Sequence, residues 1–404
     1  MSEAEKNTSH DARAITISAF FSILLFSLVV SLPGILINEI VETFSLDGAD
    51  EGLMGTMLSL GFMVSLFVVL SIQGRAQKIT VLILASAAQA AMLLFIGLSP
   101  TFFLFCIACA LLGFSGGFID TFSNSSIVDA RKDKSTKYLG ILHGLFGIGC
   151  LSSPLIYILV QRYIDWRGAH IALAIASILV MLLMCLLSRG LGKTSGKKAE
   201  REHLFSKKDL LSFFRVRRNV ALAFAGFFSM LTISCIMVWI VRYMTLQHNA
   251  ADLGVLSVSV YWACSTINRF FLAHITRRAP LLFFSLGALL SAACILIGVF
   301  SGSPVVLCFM LGVFGLCSGH FVPVLVTQCA KGYEGRTTFT TSIVMFIMCS
   351  GRIVAPVTIA FVSTQISLTL GMMLPVAAAL AGAIFGWLAL VAGKNLEKNP
   401  KTLP

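Results

Sequence analysis

The chain has 404 residues, of which 57% are hydrophobic and only 12% charged, and its formal net charge is +12. An ordinary soluble domain carries about 25% charged residues, so this composition excludes a typical soluble enzyme or binding module. The positive charge is dispersed among short loops, which argues against a nucleic-acid partner and for a protein embedded in the lipid bilayer.

Apolar segments long enough to cross a bilayer recur along the whole chain, since one crossing needs about 20 residues. We predict an all-α membrane protein with twelve transmembrane helices. The predicted spans are residues 15–37, 53–73, 79–97, 101–128, 138–161, 169–187, 219–246, 254–273, 280–299, 304–329, 338–362 and 370–392. The apolar stretch of the first span is too long for a cleavable signal peptide, where it measures about 7–15 residues.

The second half of the sequence repeats the first at an offset of half the chain. The anchors of the repeat are glycines and prolines: Gly113 and Gly117 recur as Gly315 and Gly319, Gly149 as Gly351, and Pro154 as Pro356. Internal repeats of this length are typical of transporters built from paired bundles. We predict two pseudo-symmetric six-helix bundles, residues 1–187 and 219–404, joined by a linker at residues 188–218.

The linker is strongly basic and contains a possible helix. Ser206 to Asp209 have the spacing of a helix-capping box and precede apolar residues that include Phe213 and Phe214. This pattern predicts a short helix on the inner leaflet of the membrane, with a solvated linker of no fixed structure as the alternative.

Most of the 30 Lys and Arg residues fall in the termini and in loops on one side of the predicted spans. By the positive-inside rule this side is the cytoplasm. We therefore predict a multi-pass protein of the bacterial inner (plasma) membrane with both termini cytoplasmic.

We find no catalytic constellation of a soluble enzyme and no complete phosphate-binding loop, so the sequence supports neither an enzyme nor ATP-driven pumping. The 11 cysteines sit almost wholly inside apolar spans and are interpreted as small hydrophobic residues. We expect no cofactor and no metal site.

Asp120 is the first candidate for function, because a charge inside the membrane costs at least a few kcal/mol. It shares a helical face with Gly113, Gly116, Gly117 and Asn124 in the fourth span. Burial favours the neutral form of a carboxyl group, which suits Asp120 to carry a proton or to contact substrate. A structural ion pair is the alternative.

Two histidines lie inside predicted spans. His143, in the fifth span, titrates in a useful range and is a proton-coupling candidate if its helix adjoins that of Asp120. A hydrogen-bonded structural imidazole is an equal alternative. His320, midway along the tenth span, is a substrate-binding candidate on its depth alone.

Arg352, near the centre of the eleventh span, needs a permanent acceptor because a guanidinium keeps its proton. That acceptor is Asp120, backbone carbonyls around Pro356, or an anionic substrate. Arg269, nearer the inner end of the eighth span, is interpreted as snorkelling or as a cytoplasmic gating residue.

At the outer end of the seventh span, Trp239 and Tyr243 could form a wall on which a sugar stacks, while Arg242 snorkels outward. Pro154 and Pro356 are weak points of two repeat-related helices. We predict that the two prolines shape the outer gate as a pair.

The predicted architecture resembles the major facilitator superfamily over essentially the whole chain. The stretch Gly113–Asn124, GFSGGFIDTFSN, followed by Leu142–Gly149, LHGLFGIG, is similar to the fucose–galactose–glucose proton symporter branch. The resemblance implies that Asp120 takes part in proton coupling and that Asn124 binds sugar.

The chain departs from the family pattern at two places. The loop Gly74–Lys78 lacks the usual acidic residue, and the first span has no acid at mid-membrane depth. Instead, Asn38, Glu39 and Glu42 cluster at its outer end.

We therefore expect a secondary active transporter that moves a small polar solute, such as a monosaccharide, by alternating access with a proton as coupling ion. An organic-anion or drug-type porter, with Arg352 as the anion contact, is one alternative. A non-transporting membrane sensor or scaffold is another. The expected partners are a small-molecule substrate, the proton and the lipid bilayer.

Overall fold

A computed structural model of the chain describes residues 3–72, 77–131, 134–189, 207–272, 278–331 and 337–398. These residues form helices and short connections, with no strand among them. The helices, with one π-helical turn (α13) counted among them, are α1 (Glu3–Val30), α2 (Leu32–Ile35), α3 (Ile37–Phe44), α4 (Gly48–Glu51), α5 (Leu53–Ile72), α6 (Lys78–Leu98), α7 (Phe102–Arg131), α8 (Ser135–Val160), α9 (Trp166–Ser188), α10 (Lys207–Arg215), α11 (Arg217–His248), α12 (Ala251–Ile267), α13 (Asn268–Leu272), α14 (Pro280–Phe300), α15 (Pro304–Ser318), α16 (Phe321–Ala330), α17 (Thr337–Gln365), α18 (Leu368–Gly371) and α19 (Leu374–Lys398).

Ten helical segments in the described ranges are long and apolar enough to cross a membrane. An eleventh apolar helix, Leu53–Val69, is shorter, and the predicted span 254–273 is divided between α12 and α13. The chain is thus a multi-pass, all-helical integral membrane protein, as the composition predicts.

Two predicted spans are interrupted by a turn that lies just before a proline-containing helix. The first breaks after Val30, before Pro33, and the tenth breaks between Ser318 and Phe321, before Pro323. A proline has no N–H, so it leaves the carbonyl of the residue four positions earlier without its helical donor. For Pro323 that carbonyl belongs to Gly319, and Arg269 Nε on α13 donates to it at 3.1 Å.

The chain divides into two compact units. The first contains Met1–Leu32 and Met57–Glu202, and the second contains Pro33–Thr56 and His203–Pro404. The 33–56 segment, which joins α1 to α5 and carries α2, α3 and α4, therefore packs with the second unit.

In the first unit α1 packs against α7, α8 and α9, and α6 packs against α7 and α9. Glycines permit the closest crossings. A Cβ atom at Gly113 would overlap the carbonyl oxygen of Leu58 on α5, and one at Gly149 would lie 2.8 Å from that of Leu24 on α1. Residues with side chains cannot approach a neighbouring backbone so closely, so these positions require glycine.

In the second unit α11 packs against α17 and α19, and α12 packs against α15. The repeated glycines again mark crossings. A Cβ at Gly315 would overlap the Tyr261 carbonyl oxygen, and one at Gly319 would lie 2.5 Å from that of Ser265. Gly351 faces the α11 backbone in the same way. The glycines that reveal the repeat in the sequence are thus helix-crossing points in both units.

The basic linker contains a helix, α10, over Lys207–Arg215, whereas Ser206 lies outside the described residues. Phe213 is buried in the core of the second unit, while Leu211 and Phe214 are exposed. One face of α10 is therefore anchored to the protein and another is free, and its placement on the membrane surface stays a prediction.

Candidate functional site

Asp120 and Asn124 lie one turn apart on α7, and both are half-buried. The amide Nδ2 of Asn124 donates to the Asp120 carbonyl oxygen at 2.8 Å and to its carboxylate Oδ1 at 3.3 Å. The structure thus brings together the two residues that the helical spacing pairs, and Asn124 orients the carboxylate.

His143 is exposed on α8, a helix that packs against both α7 and α1. Whether it exchanges a proton with Asp120 stays a prediction.

Two short patterns inside α7 formally match motifs of soluble chemistry. Cys106 and Cys109 are spaced as Cys-x-x-Cys, and Gly113, Ser115 and Gly117 as Gly-x-Ser-x-Gly. Both patterns lie within a continuous helix, whereas a nucleophile elbow needs a sharp strand-to-helix turn. Ser115 is buried and donates to the Leu112 carbonyl oxygen at 2.7 Å, and both cysteines are thiols outside any disulfide.

A second group of polar residues lies inside the second unit, where α12 meets the break between α15 and α16. Asn268 Nδ2 donates to the Leu316 carbonyl oxygen at 2.5 Å and lies 3.3 Å from His320 Nδ1. Because an amide nitrogen only donates, His320 Nδ1 is the acceptor in this contact. His320 is therefore held by the protein itself, and its substrate role stays a prediction.

Arg269 belongs to the same region. Its guanidinium donates to the Gly319 carbonyl freed by Pro323, and it lies 5.9 Å from the centre of the Trp262 ring. The sequence interpretation of Arg269 as a snorkelling or gating residue did not anticipate this bond. The sequence did contain an indication of it, because a proline at position 323 leaves the Gly319 carbonyl without its helical donor.

The helix that carries Arg352 and Pro356 receives hydrogen bonds from α11. Ser234 Oγ donates at 3.4 Å to the carbonyl of Arg352, which Pro356 leaves without its helical donor. Trp239 Nε1 donates to the Pro356 carbonyl at 3.1 Å. Arg352 itself is half-buried.

Trp239 and Tyr243 are both buried in the second unit. In this conformation the Trp239 ring is committed to Pro356, and Tyr243 packs edge-on against His248. Their role as a sugar-stacking wall stays a prediction.

Arg242, for which outward snorkelling stays a prediction, has an acidic partner. It forms a bidentate ion pair with Glu51, with nitrogen–oxygen distances of 2.8 and 3.1 Å. Sequence reasoning missed Glu51, although an acidic residue immediately before an apolar span is a signal that could have identified it.

The acid-free loop Gly74–Lys78 lies mostly outside the described residues, since residues 73–76 are not among them. Lys78 begins α6, pairs with Asp129 at 2.7 Å and donates to the Ser125 carbonyl at 3.1 Å. Within the described part of the chain, no group of three or more His, Cys, Asp and Glu residues could hold a metal ion.

Comparison with protein families gives a match to the model of the Major Facilitator Superfamily over residues 19–356. A search of curated proteins found no match.

Solved structures similar to this one include a bacterial homologue of the human lysosomal transporter Spinster. In its inward-facing, occupied conformation it has 13% identity and a TM-score of 0.76, covering 97% of this chain and 98% of that one. Its inward-facing, unoccupied conformation has 14% identity and a TM-score of 0.73, covering 98% and 99%. A D-xylose–proton symporter has 13% identity and a TM-score of 0.73, covering 93% and 97%. At this identity the likeness establishes a shared fold.

Proposed function

The chain belongs to the Major Facilitator Superfamily, and on that premise we propose that it is a proton-coupled secondary transporter of a small polar solute of the monosaccharide class. Alternating access moves the solute through twelve spans arranged as two six-helix bundles, residues 1–187 and 219–404, with 188–218 as the linker. The likeness to a D-xylose–proton symporter supports the substrate class and the coupling ion.

The observation that carries the proposal is the Asp120–Asn124 pair. Burying a carboxylate inside a membrane-spanning helix costs free energy, so its presence there indicates a function. The Asn124 amide bonds to the carboxylate and also presents a carbonyl oxygen, a group that can accept from a sugar hydroxyl. We assign Asp120 as the proton carrier and Asn124 as a sugar contact.

The remaining candidates complete the proposal. His143 shares the proton with Asp120. Substrate contacts from the second half are Arg352, His320, Trp239 and Tyr243, and the gating residues are Arg269, Pro154 and Pro356. Trp239 and Tyr243 become available to the solute only when the packing of α11 against α17 changes.

We propose that both termini are cytoplasmic, in a bacterial inner membrane, because the cationic loops share the side of the termini. Lys78 begins α6 and Arg131 ends α7, and the proposal places both of these helix ends in the cytoplasm.

The test is the variant Asp120→Asn, once a ligand is found by thermal-shift screening of sugars, carboxylates and amphiphilic drugs. Uphill accumulation driven by a proton gradient should be lost, whereas counterflow exchange of labelled substrate should remain. Exchange needs the binding site but no net proton movement. Both rates are measured in the same proteoliposomes.

Asp129→Asn is the matched control, because Asp129 lies on the same helix and its side chain is 64% exposed in a surface ion pair with Lys78. Such pairs contribute little, about 0–1 kcal/mol. Uphill transport at the wild-type level by Asp120→Asn would refute the assignment of the proton carrier.

A further inference from the structure

The 33–56 segment is held against α11 by a buried ion pair and a chain of hydrogen bonds. The side chains of Glu51 and Arg242 are only 8% and 17% exposed. Arg242 Nη1 also donates to Asn38 Oδ1 at 3.4 Å, and Asn38 Nδ2 donates to Thr245 Oγ1 at 2.7 Å. The polar chain thus joins two short helices of the segment, α3 and α4, to one long helix.

The backbone of the segment also approaches α11 and α17 closely. A Cβ at Gly34 would overlap the Met237 carbonyl oxygen, and one at Gly52 would lie 2.8 Å from that of Pro356. Thr56 Oγ1 donates to the Ile353 carbonyl at 3.1 Å. The segment is therefore docked by shape as well as by charge.

The segment continues at Leu32 and Met57 into chain that belongs to the first unit. In a transporter that works by alternating access, the end of the molecule where α1 joins α5 must open once in each cycle. If the segment follows α1 and α5 in that opening, it leaves α11 and α17.

We propose that Glu51 and Arg242 are positioning residues that keep the 33–56 segment docked and thereby set how often this end of the transporter opens. The proposal rests on alternating access as the proposed function. The two charges are buried and paired only in the docked state, whereas both are hydrated after release. Removing one charge leaves its partner buried and unpaired, which disfavours docking; removing both charges eliminates that penalty.

The readout is the rate of disulfide formation between Gly48→Cys and Thr364→Cys. An ideal Cβ at Gly48 lies 3.7 Å from the Cβ of Thr364, within the roughly 3.5–4.5 Å that a disulfide requires. The reaction is followed in native membranes with an added oxidant and no substrate. Variants with one of the two cysteines show whether any of the 11 native cysteines participates.

In this background, Glu51→Gln and Arg242→Gln should each slow cross-linking at least about tenfold, and the double variant should return to within about threefold of the parent. Glu42→Gln is the matched control, because Glu42 is an exposed acid on α3 of the same segment. Its cross-linking rate should be unchanged.

An unchanged cross-linking rate in both single variants would overturn the proposal. A double variant whose rate falls by the product of the two single-variant reductions would overturn it as well. Thermal unfolding and size-exclusion profiles establish that each variant is folded. If a neutral variant does not fold, Glu51→Asp, which keeps the charge but shortens its reach, should slow cross-linking partially; an unchanged rate there also contradicts the proposal.

The measurement needs no substrate, so a wrong substrate class or coupling ion leaves its result intact. Full transport by quantitatively oxidised Gly48→Cys/Thr364→Cys protein would show that the segment stays on α17 throughout the cycle, and would overturn the proposal while leaving alternating access intact.

Discussion

In the first unit α7 runs unbroken from Phe102 to Arg131, whereas its repeat mate in the second unit is split into α15 and α16 around Gly319 and His320. The glycine crossings that hold the two against α5 and α12 are nevertheless the same. The continuous helix carries the Asp120–Asn124 pair, and the broken one carries His320, which contacts Asn268 of α13. The two halves of the repeat therefore share their helix packing but differ in their polar residues.

A second pair of helices shows a reversal of hydrogen-bond direction. In the first unit Ser153 of α8 donates to the Leu28 carbonyl of α1 at 3.0 Å. In the second unit the donors Ser234 and Trp239 lie on α11, the mate of α1, and the acceptors lie on α17 around Pro356. In both units the two helices approach each other closely, but the helix that supplies the hydrogen-bond donor differs between the units.

The largest expected effect comes from adding a methyl group at matched crossings. Gly113→Ala should destabilise by about 3 kcal/mol and Gly315→Ala by about 1–2 kcal/mol, because the overlap with a backbone carbonyl is deeper at Gly113. Thermal unfolding in detergent measures both. Gly140→Ala is the control, since nothing lies within 4 Å of an added Cβ there. Equal unfolding temperatures for Gly113→Ala and Gly140→Ala would mean that the α5–α7 crossing has room for a methyl group.

An intermediate effect is expected at Asn268, whose repeat mate is Leu66. Asn268→Leu removes the donor to the Leu316 carbonyl and to His320 Nδ1, both within a buried region, and should cost about 2 kcal/mol of stability. Asn124→Leu, on the other side of the comparison, breaks only bonds within its own helix and should cost less than about 1 kcal/mol. A larger drop in unfolding temperature for Asn124→Leu than for Asn268→Leu would contradict this expectation.

The smallest effect is expected at Trp239. Trp239→Phe keeps a buried ring but loses the bond to the Pro356 carbonyl, at a cost of about 1 kcal/mol. Trp387→Phe, at a half-exposed position on α19, should leave the unfolding temperature unchanged. If Trp239→Phe has the same unfolding temperature as that control, the hydrogen bond from Trp239 to the Pro356 carbonyl does not contribute to stability.

The helical fold was predictable because each long apolar run is enough to indicate its own helix. The Asp120–Asn124 pair was also predictable, since residues four apart on a helix share a face. Both inferences use short sequence separations.

Contacts between distant residues were not predictable. The Arg242–Glu51 pair joins residues 191 apart, and the Asn268–His320 contact joins residues 52 apart across two helices. Their partners depend on which helix faces are adjacent, and a single sequence does not contain that information. The Arg269–Gly319 bond has the same origin, because Pro323 indicates a free carbonyl at Gly319 but not that Arg269 is the donor that reaches it.

The docking of the 33–56 segment also has a consequence for biogenesis. The segment leaves the ribosome early, yet the partner of Glu51 is made 191 residues later, and the Ile353 carbonyl that accepts from Thr56 is made 297 residues later. Until then its acidic and amide groups must stay hydrated at the membrane surface. A nascent chain that stops at the central linker would present an unpaired Glu51, and final assembly of the early hairpin is postponed until synthesis is nearly finished.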